Sequence, residues 1–174
     1  MVNNNTFNID ENSVNGSIVN NVGATDEDVD PVQTLSYFIA AGDPTSVFLI
    51  DSSGNIRVDD VSQLNFEATS QYVLTVRALD NGSPNLDDFA TITVDVNNLN
   101  ETPVMTPQAF ALYETPAISI NPYDAIATDP DILGPPAFSN LTFTITGGSG
   151  DPFFDINSAG EVTIANYVDF ETDG

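Results

Sequence analysis

Acidic residues return at matched positions in two successive stretches of this chain. The first stretch holds Asp10-Glu11-Asn12, Ala24-Thr25-Asp26-Glu27-Asp28 and Leu64-Asn65-Phe66-Glu67. The second answers with Tyr113-Glu114-Thr115, Ala127-Thr128-Asp129-Pro130-Asp131 and Val168-Asp169-Phe170-Glu171. The spacing from Glu11 to Asp26 to Asp28 equals that from Glu114 to Asp129 to Asp131. Carboxylates that keep register through a repeat require the chain to fold the same way twice, and they share a ligand more readily than they merely solvate a surface. The chain has no histidine and no cysteine. An oxygen-only donor set of this kind is matched to Ca²⁺.

Charge sharpens that expectation. Twenty-six acidic side chains face two arginines, Arg57 and Arg77, with no lysine, for a formal net charge of -24. Such a chain repels nucleic acid and anionic lipid, which excludes both as partners. Its self-repulsion opposes compaction unless cations neutralise it, so metal or high salt belongs to the expected environment. Halophilic or marine surface adaptation produces the same bias. Hydrophobic residues still make up 41% of the chain, and they fall in alternating runs, which separates it from disordered acidic chains. Without cysteine there is no disulfide framework. A bacterial surface protein stapled by metal is therefore favoured over a small disulfide-bonded secreted domain. No apolar run approaches the roughly 20 residues of a membrane span. No basic-then-apolar leader precedes the strands, so Met1-Val2 is expected to mark a processed or recombinant start.

The hydrophobic pattern reads as strands throughout. In Tyr72-Val73-Leu74-Thr75-Val76-Arg77-Ala78 the even-numbered residues are apolar while Thr75 and Arg77 face out, the period-two alternation of a half-buried strand. Ala90-Thr91-Ile92-Thr93-Val94-Asp95 repeats it, and Asn81-Gly82-Ser83-Pro84 between them supplies the turn of an antiparallel hairpin. Leu35 to Ile39, Phe48 to Ile50 and Ile56 to Val58 are shorter strands, the last two joined by the turn Asp51-Ser52-Ser53-Gly54-Asn55. About seven short strands without a helix-length periodic segment indicate a β-sandwich.

The second stretch follows the same route. Leu141 to Ile145 matches Leu35 to Ile39, Phe154 to Asn157 matches Phe48 to Asp51, and Gly160-Glu161-Val162 matches Gly54-Asn55-Ile56. After Glu171 only Thr172-Asp173-Gly174 remain, with nothing corresponding to the hairpin from Tyr72 to Val96. The expectation is a second sandwich split by an insertion, completed by another chain, or cut short. The boundary falls in the polar, proline-closed segment Val96 to Pro103, giving one domain over 1–102 and an incomplete one over 103–174.

In this order the motifs resemble tandem cadherin repeats, in the divergent form found in large bacterial surface adhesins. The residues that carry the resemblance are Glu11-Asn12, Asp26 with Asp28, Glu67, Arg77-Ala78-Leu79-Asp80, and the linker Asp95-Val96-Asn97-Asn98-Leu99-Asn100-Glu101-Thr102-Pro103. The resemblance implies two immunoglobulin-like Greek-key β-sandwiches in tandem, with Ca²⁺ bound between repeats. It assigns Glu11, Glu67, Asp95, Asn97, Asn98, Asn100 and Glu101 to one side of the junction, with Asp129 and Asp131 on the other. It makes Asp26, Asp28 and Asp80 half of a site toward an upstream repeat. Glu114, Asp169 and Glu171 form the half toward a downstream one. Two departures weaken the junction. Asn98 stands where an aspartate is usual, and Asn65 replaces the aspartate that the second copy keeps as Asp169. Each exchanges an anionic ligand for a neutral oxygen, so affinity is expected in the roughly 10⁻⁴ to 10⁻³ M range of extracellular modules.

Other acids are expected to serve turns instead: Asp51, Asp59, Asp60, Asp151 and Asp155, because aspartate readily bonds its own local backbone. Phe7, Phe48, Phe66, Phe110, Phe154 and Phe170 sit at matched places and are expected in the core. Catalysis finds no support without histidine or cysteine, and acidic pairs that repeat with the fold point to architecture, not to glycoside cleavage. The expected function is that of a non-enzymatic, Ca²⁺-rigidified extender in an extracellular, cell-surface adhesin, partnered by adjacent repeats of the same parent chain. A module that binds cell-surface carbohydrate, or another cadherin-like protein homophilically, is the alternative.

Overall fold

The computed structural model describes residues 1–27, 34–111, 123–133, 140–151 and 153–166. The fold is all-β, with short 3-10 turns at Val61–Gln63 and Pro130–Leu133 as its only helical elements among those residues. The chain divides into two compact units, Met1–Leu99 and Asn100–Gly174.

The first unit is a sandwich of two sheets. Its strands are β1 (Asn5–Asp10), β2 (Ile18–Asn21), β3 (Ser36–Ala41), β4 (Phe48–Ile50), β5 (Asn55–Val58), β6 (Gln71–Leu79) and β7 (Asp87–Asn97). One sheet has the order β1-β7-β6-β3 and the other β2-β5-β4. The long hairpin β6–β7 runs antiparallel from Gln71 opposite Asp95 to Leu79 opposite Asp87. Alternation places Tyr72, Leu74, Val76 and Ala78 of β6 inward beside Ala90, Ile92, Val94 and Val96 of β7, all buried. From the facing sheet come Phe48, Ile56 and Val58, with Val47 and Leu64 closing the core. Burying one such aliphatic side chain contributes roughly 1.5–3 kcal/mol. The rings of Phe48 and Tyr72 meet edge to face at 5.1 Å, while the Tyr72 hydroxyl donates to the Gln63 carbonyl at 3.1 Å.

Sequence patterning does not mark β1 and β2, because both are rich in asparagine. β1 forms because β7 offers a parallel partner, with Phe7 opposite Val94, and Phe7 is its one buried residue. At the other edge β3 shifts register against β6 between Ile39 and Ala41, and Gly42 follows with φ +92°.

The second unit contains β8 (Val104–Met105), β9 (Tyr123–Asp124), β10 (Ala127–Thr128), β11 (Phe154–Ile156) and β12 (Glu161–Ile164). Its β11–β12 hairpin repeats the β4–β5 hairpin of the first unit bond for bond. The turn between β4 and β5 is closed by Asp51 N–H to Asn55 C=O and Gly54 N–H to Asp51 C=O, and that between β11 and β12 by Asn157 N–H to Glu161 C=O and Gly160 N–H to Asn157 C=O. Both Asp59 and Asp60 donate to the Val47 carbonyl, just as Ala165 and Asn166 donate to that of Phe153. A Cβ on Gly54 would press the ring of Tyr37, and one on Gly160 the ring of Phe143. Both glycines also have a positive φ, +80° and +93°, and at Gly160 the added atom would in addition lie 2.8 Å from the Ala125 carbonyl oxygen, so the two turns favour glycine in the same way.

Three expectations change in the structure. Phe110 is exposed rather than core, and it stacks on Tyr123 at 4.7 Å. Asp155 belongs to β11, opposite Thr163, and is not a turn residue. Residues 141–145 alternate in burial as a strand would, yet they join no ladder among the described residues. In the first unit the corresponding strand, β3, is held by β6, for which the repeat offers no counterpart in the sequence up to Gly174. Phe170 lies outside the described residues.

Candidate metal centre

The acidic positions of the first unit separate to its two ends. Glu11 follows the last residue of β1, Glu67 lies in the turn after Leu64, and Asn97 ends β7, so these three share one end. Asp80 begins the loop from β6 to β7 at the opposite end, about 33 Å away at 3.3 Å per residue along β7. Asp26 belongs to that opposite end too, since it follows the bridge pairing Ala24 with Val2.

Glu11 is the best-defined acid at the first of these ends. It is 1% exposed, and its position is set from three directions. Its own N–H donates to the Asn97 carbonyl at 3.1 Å. Its Oε2 accepts the Phe66 N–H at 2.9 Å, and its Oε1 the Leu99 N–H at 2.7 Å. Asn12 turns the chain at once through φ +59° and donates its N–H to the Leu64 carbonyl. Asparagine tolerates this left-handed conformation better than most residues, a physical reason for the Glu-Asn step. Glu67 is exposed and brings a carboxylate oxygen within 4.8 Å of one on Glu11. Two like charges that close favour a shared cation. Next along the chain, Asn98 has both side-chain polar atoms, Oδ1 and Nδ2, buried without a hydrogen-bond partner.

Asp95 stands apart from this group. It lies on the outer row of β7, where its Oδ1 accepts from the Gln71 side chain at 2.7 Å. Asn97 Nδ2 donates to Asp10 Oδ1 at 2.8 Å, a pairing the repeat pattern did not indicate. At the far end Asp80 is buried, and its Oδ1 accepts the Gly82 and Leu86 N–H groups at 3.0 and 2.8 Å. Asp26 is half-buried. Asp88, which no motif marked, accepts the N–H groups of Val2 and Phe89 at 2.9 Å each. Those bonds, the one from Val2 first, hold its carboxyl below the ordinary range. Asp28, Glu114, Asp169 and Glu171 lie outside the described residues.

In the second unit Asp131 is 0% exposed. Its Oδ2 accepts the Glu101 N–H at 2.7 Å, and its own N–H donates to Asp129 Oδ1 at 3.0 Å. Asp129 is half-buried at the start of the 3-10 turn. Asn100 is exposed and its amide reaches the Glu101 carbonyl at 3.5 Å. The remaining oxygen of Asp131, Oδ1, is buried without a hydrogen-bond partner.

A fully buried carboxylate is retained only when it is paired or coordinates a metal. Among the described residues the ion pairs are Arg57 with Asp51 and Arg77 with Asp87, which engage both arginines of the chain. No lysine or histidine exists to serve Asp131. Each unit by itself offers oxygen donors only, with an unpartnered buried oxygen on Asn98 in the first and on Asp131 in the second, and that donor chemistry suits Ca²⁺. Backbone N–H groups already fix the orientation of Glu11 and Asp131, so these carboxylates are positioned in advance of any ion.

A cadherin-domain family model matches residues 5–97, just over half of the chain. Human Protocadherin Fat 1 is 30% identical over 169 residues, which cover 94% of this chain and 4% of that protein. Rat Cadherin EGF LAG seven-pass G-type receptor 3 is 34% identical over 162 residues, covering 90% of this chain and 5% of that one. The chain thus spans only a small fraction of the curated relatives it matches. Among solved structures, mouse Cadherin-23 EC22-24 aligns with a TM-score of 0.70 at 21% identity, over 97% of this chain and 53% of that one. The relatives support the sandwich found here, and the matched span ends where the strand β7 ends. The chain belongs to the cadherin family.

Proposed function

We propose that this chain is a calcium-stiffened extender segment of a long extracellular adhesin. Glu11 and Glu67 of the first unit, the linker oxygens of Asn97, Asn98, Asn100 and Glu101, and Asp129 with Asp131 of the second supply the ligands. Asp95, engaged by Gln71, joins them only by releasing that bond. Bound Ca²⁺ offsets the repulsion between acidic surfaces and removes freedom from the linker. Asp26, Asp28 and Asp80 serve an upstream neighbour in the same way, and Glu114, Asp169 and Glu171 a downstream one. The domains are 1–102 and 103–174, with adjacent repeats of the parent chain as the first partners. The module is non-enzymatic. The curated relatives are animal proteins, so a bacterial cell surface rests on the absence of cysteine and on the divergent form of the motifs. No helix among the described residues is long and apolar enough to cross a membrane.

The observation that carries this reading is Asp131, a fully buried carboxylate whose Oδ1 has no partner. At Ca²⁺ of about 100 times Kd, one site stabilises the bound state by about 2.7 kcal/mol, a large share of a domain's stability. Small-angle scattering tests it: the particle should be longer and narrower with Ca²⁺ than with chelator, and Asp129→Ala with Asp131→Ala should abolish the difference. Superimposable curves in the two conditions would overturn the proposal.

A further inference from the structure

The chain contains two Asn-Gly steps, Asn15-Gly16 and Asn81-Gly82. Such a step is a weak point of any polypeptide. Asparagine is thermolabile, and a following glycine has no Cβ to shield its backbone nitrogen from the asparagine side chain. The fold treats the two steps differently, so the molecule carries its own control.

Asn81-Gly82 lies in the loop from β6 to β7, with Asn81 exposed. Asp80 organises that loop. Its Oδ1 accepts the Gly82 N–H at 3.0 Å and the Leu86 N–H at 2.8 Å, while its own N–H donates to the Leu86 carbonyl at 3.0 Å. Asn81 Oδ1 in turn accepts the Thr34 N–H at 2.8 Å. These contacts favour one reaction from both sides. The charge-assisted bond to Asp80 draws the proton away from the Gly82 nitrogen and leaves it richer in electrons. The Thr34 donor stabilises the negative charge that gathers on Oδ1 as Cγ becomes tetrahedral.

Asn15 is also exposed, and its Oδ1 has a similar donor, the Val61 N–H at 2.8 Å. The nucleophile is what differs. Gly16 donates its N–H at 2.7 Å to the Val58 carbonyl, a neutral acceptor at the end of strand β5. That acceptor is fixed in a sheet, so the bond must break before the nitrogen can turn toward Cγ. At Gly82 the acceptor is a side chain of the same loop, which moves with the nitrogen.

We infer that Asn81 is a self-modification site, where the Gly82 nitrogen closes onto Asn81 Cγ and converts the asparagine to aspartate and isoaspartate. The nitrogen lone pair forms the N–Cγ bond and the Cγ–Nδ2 bond breaks. The leaving nitrogen keeps that electron pair, takes the proton lost from Gly82 and departs as ammonia. Water then opens the cyclic imide. Attack at Cγ leaves aspartate in the ordinary chain, and attack at the main-chain carbonyl leaves isoaspartate, with the chain running through Cβ and Cγ. Either product adds a carboxylate beside Asp80, and isoaspartate also lengthens the backbone of the loop by one carbon.

Incubating the full chain for days at mildly alkaline pH tests it, with chelator present to keep cations off Asp80. Anion exchange should resolve a more acidic form that grows with time, and peptide mapping should place the change at Asn81. An isoaspartyl methyltransferase should label the aged chain and not the fresh one. Asn81→Gln, whose longer side chain closes a less favourable ring, should abolish the acidic form, whereas Asn15→Gln should leave it. In the folded chain Asn81 should react about tenfold faster than Asn15, a difference of about 1.4 kcal/mol in barrier. In urea, with these contacts gone, the two rates should converge. A folded chain that stays unchanged while the unfolded one reacts, or an Asn15 that keeps pace with Asn81, overturns the inference. No ligand of the proposed junction between the units takes part, so that outcome leaves the calcium reading untouched.

Discussion

Glu11 and Leu99 stand 88 residues apart, yet Oε1 of the glutamate accepts the leucine's backbone N–H at 2.7 Å. With its other oxygen on the Phe66 N–H, one carboxylate fastens the end of β1, the turn after Leu64 and the exit from β7. Glu11 is thus structural before it is a ligand. Leaving a buried N–H without an acceptor costs about 1–3 kcal/mol, and Glu11→Ala strands two. The variant should lose roughly 3 kcal/mol, a fall of at least about 12 °C in Tm for a unit of this size. Glu11→Gln keeps a single acceptor oxygen and should lose about half as much by the same reasoning. Chelator-treated protein is the sample to melt, because it removes metal binding from the comparison. Equal melting temperatures for wild type and Glu11→Ala would show that these bonds are immaterial.

Asn98 allows the metal proposal to be tested by a reversal of sign. Its amide Oδ1 and Nδ2 are both buried without partners. Asn98→Asp places a carboxylate where nothing neutralises it, so in chelator the variant should be less stable than wild type. In Ca²⁺ the added anionic ligand should tighten binding about tenfold, equivalent to about 1.4 kcal/mol. Melting curves in the two conditions should therefore cross in rank. A variant that is destabilised equally with and without Ca²⁺ would show that Asn98 does not face an ion.

What the sequence reveals about this fold follows from how each element is held. The strands β4 and β6, and the hairpin that β6 makes with β7, are legible because they alternate into a core and their side chains carry that pattern. β1 escapes notice because a parallel ladder to β7 holds it, and Asn-Thr-Phe-Asn-Ile-Asp offers only Phe7 and Ile9 to the interior. The repeat of Glu11, Asp26 and Asp28 at Glu114, Asp129 and Asp131 is plain in the letters. The role of the backbone at Phe66 and Leu99 is not, since any residue supplies an N–H. Asp88, which anchors Val2, is also silent: it breaks no local pattern, and its partner is 86 residues away. The Glu-Asn step does carry a readable physical signal, because Asn12 adopts a positive φ that most residues avoid.

Asp51 gives the first sandwich an acid limb. Its carboxylate accepts from the Asn55 side chain and backbone, from Arg57 Nε and from the Ser53 N–H. These bonds, those from Asn55 foremost, hold its pKa far below the usual carboxylate range. A carboxyl whose folded pKa lies below its unfolded value of about 3.9 stabilises the fold fully at higher pH. That contribution is lost as pH falls through the folded value. Asp51→Asn should therefore lower Tm near neutrality, and the gap to wild type should close as pH descends below about 4. Thermal melts in a pH series, at constant ionic strength, check this. A gap that is constant down to the acid end would mean that the bonds made by Asp51 do not depend on its charge.

Gly42 and Gly16 separate two costs that are usually confounded. Both have a positive φ, +92° and +88°, so alanine at either adopts a conformation that costs L-residues about 1–2 kcal/mol. At Gly16 an added Cβ meets nothing within 4 Å. At Gly42 the same atom would lie 2.0 Å from the Val73 carbonyl oxygen and 2.9 Å from the Leu74 Cα. Those are backbone atoms of β6, central in its sheet, and they cannot swing aside as a flexible side chain would. Relief requires β3 to pull away where its register already shifts between Ile39 and Ala41. Gly16→Ala should thus lose only the backbone term, about 1 kcal/mol. Gly42→Ala should lose well over twice that, at least about 3 kcal/mol, because a steric collision adds to the strain. Urea unfolding of the two variants in Ca²⁺-free buffer measures the difference. Equal losses would mean that the edge strand yields freely at Gly42, and that β3 is held less firmly than its ladder with β6 implies.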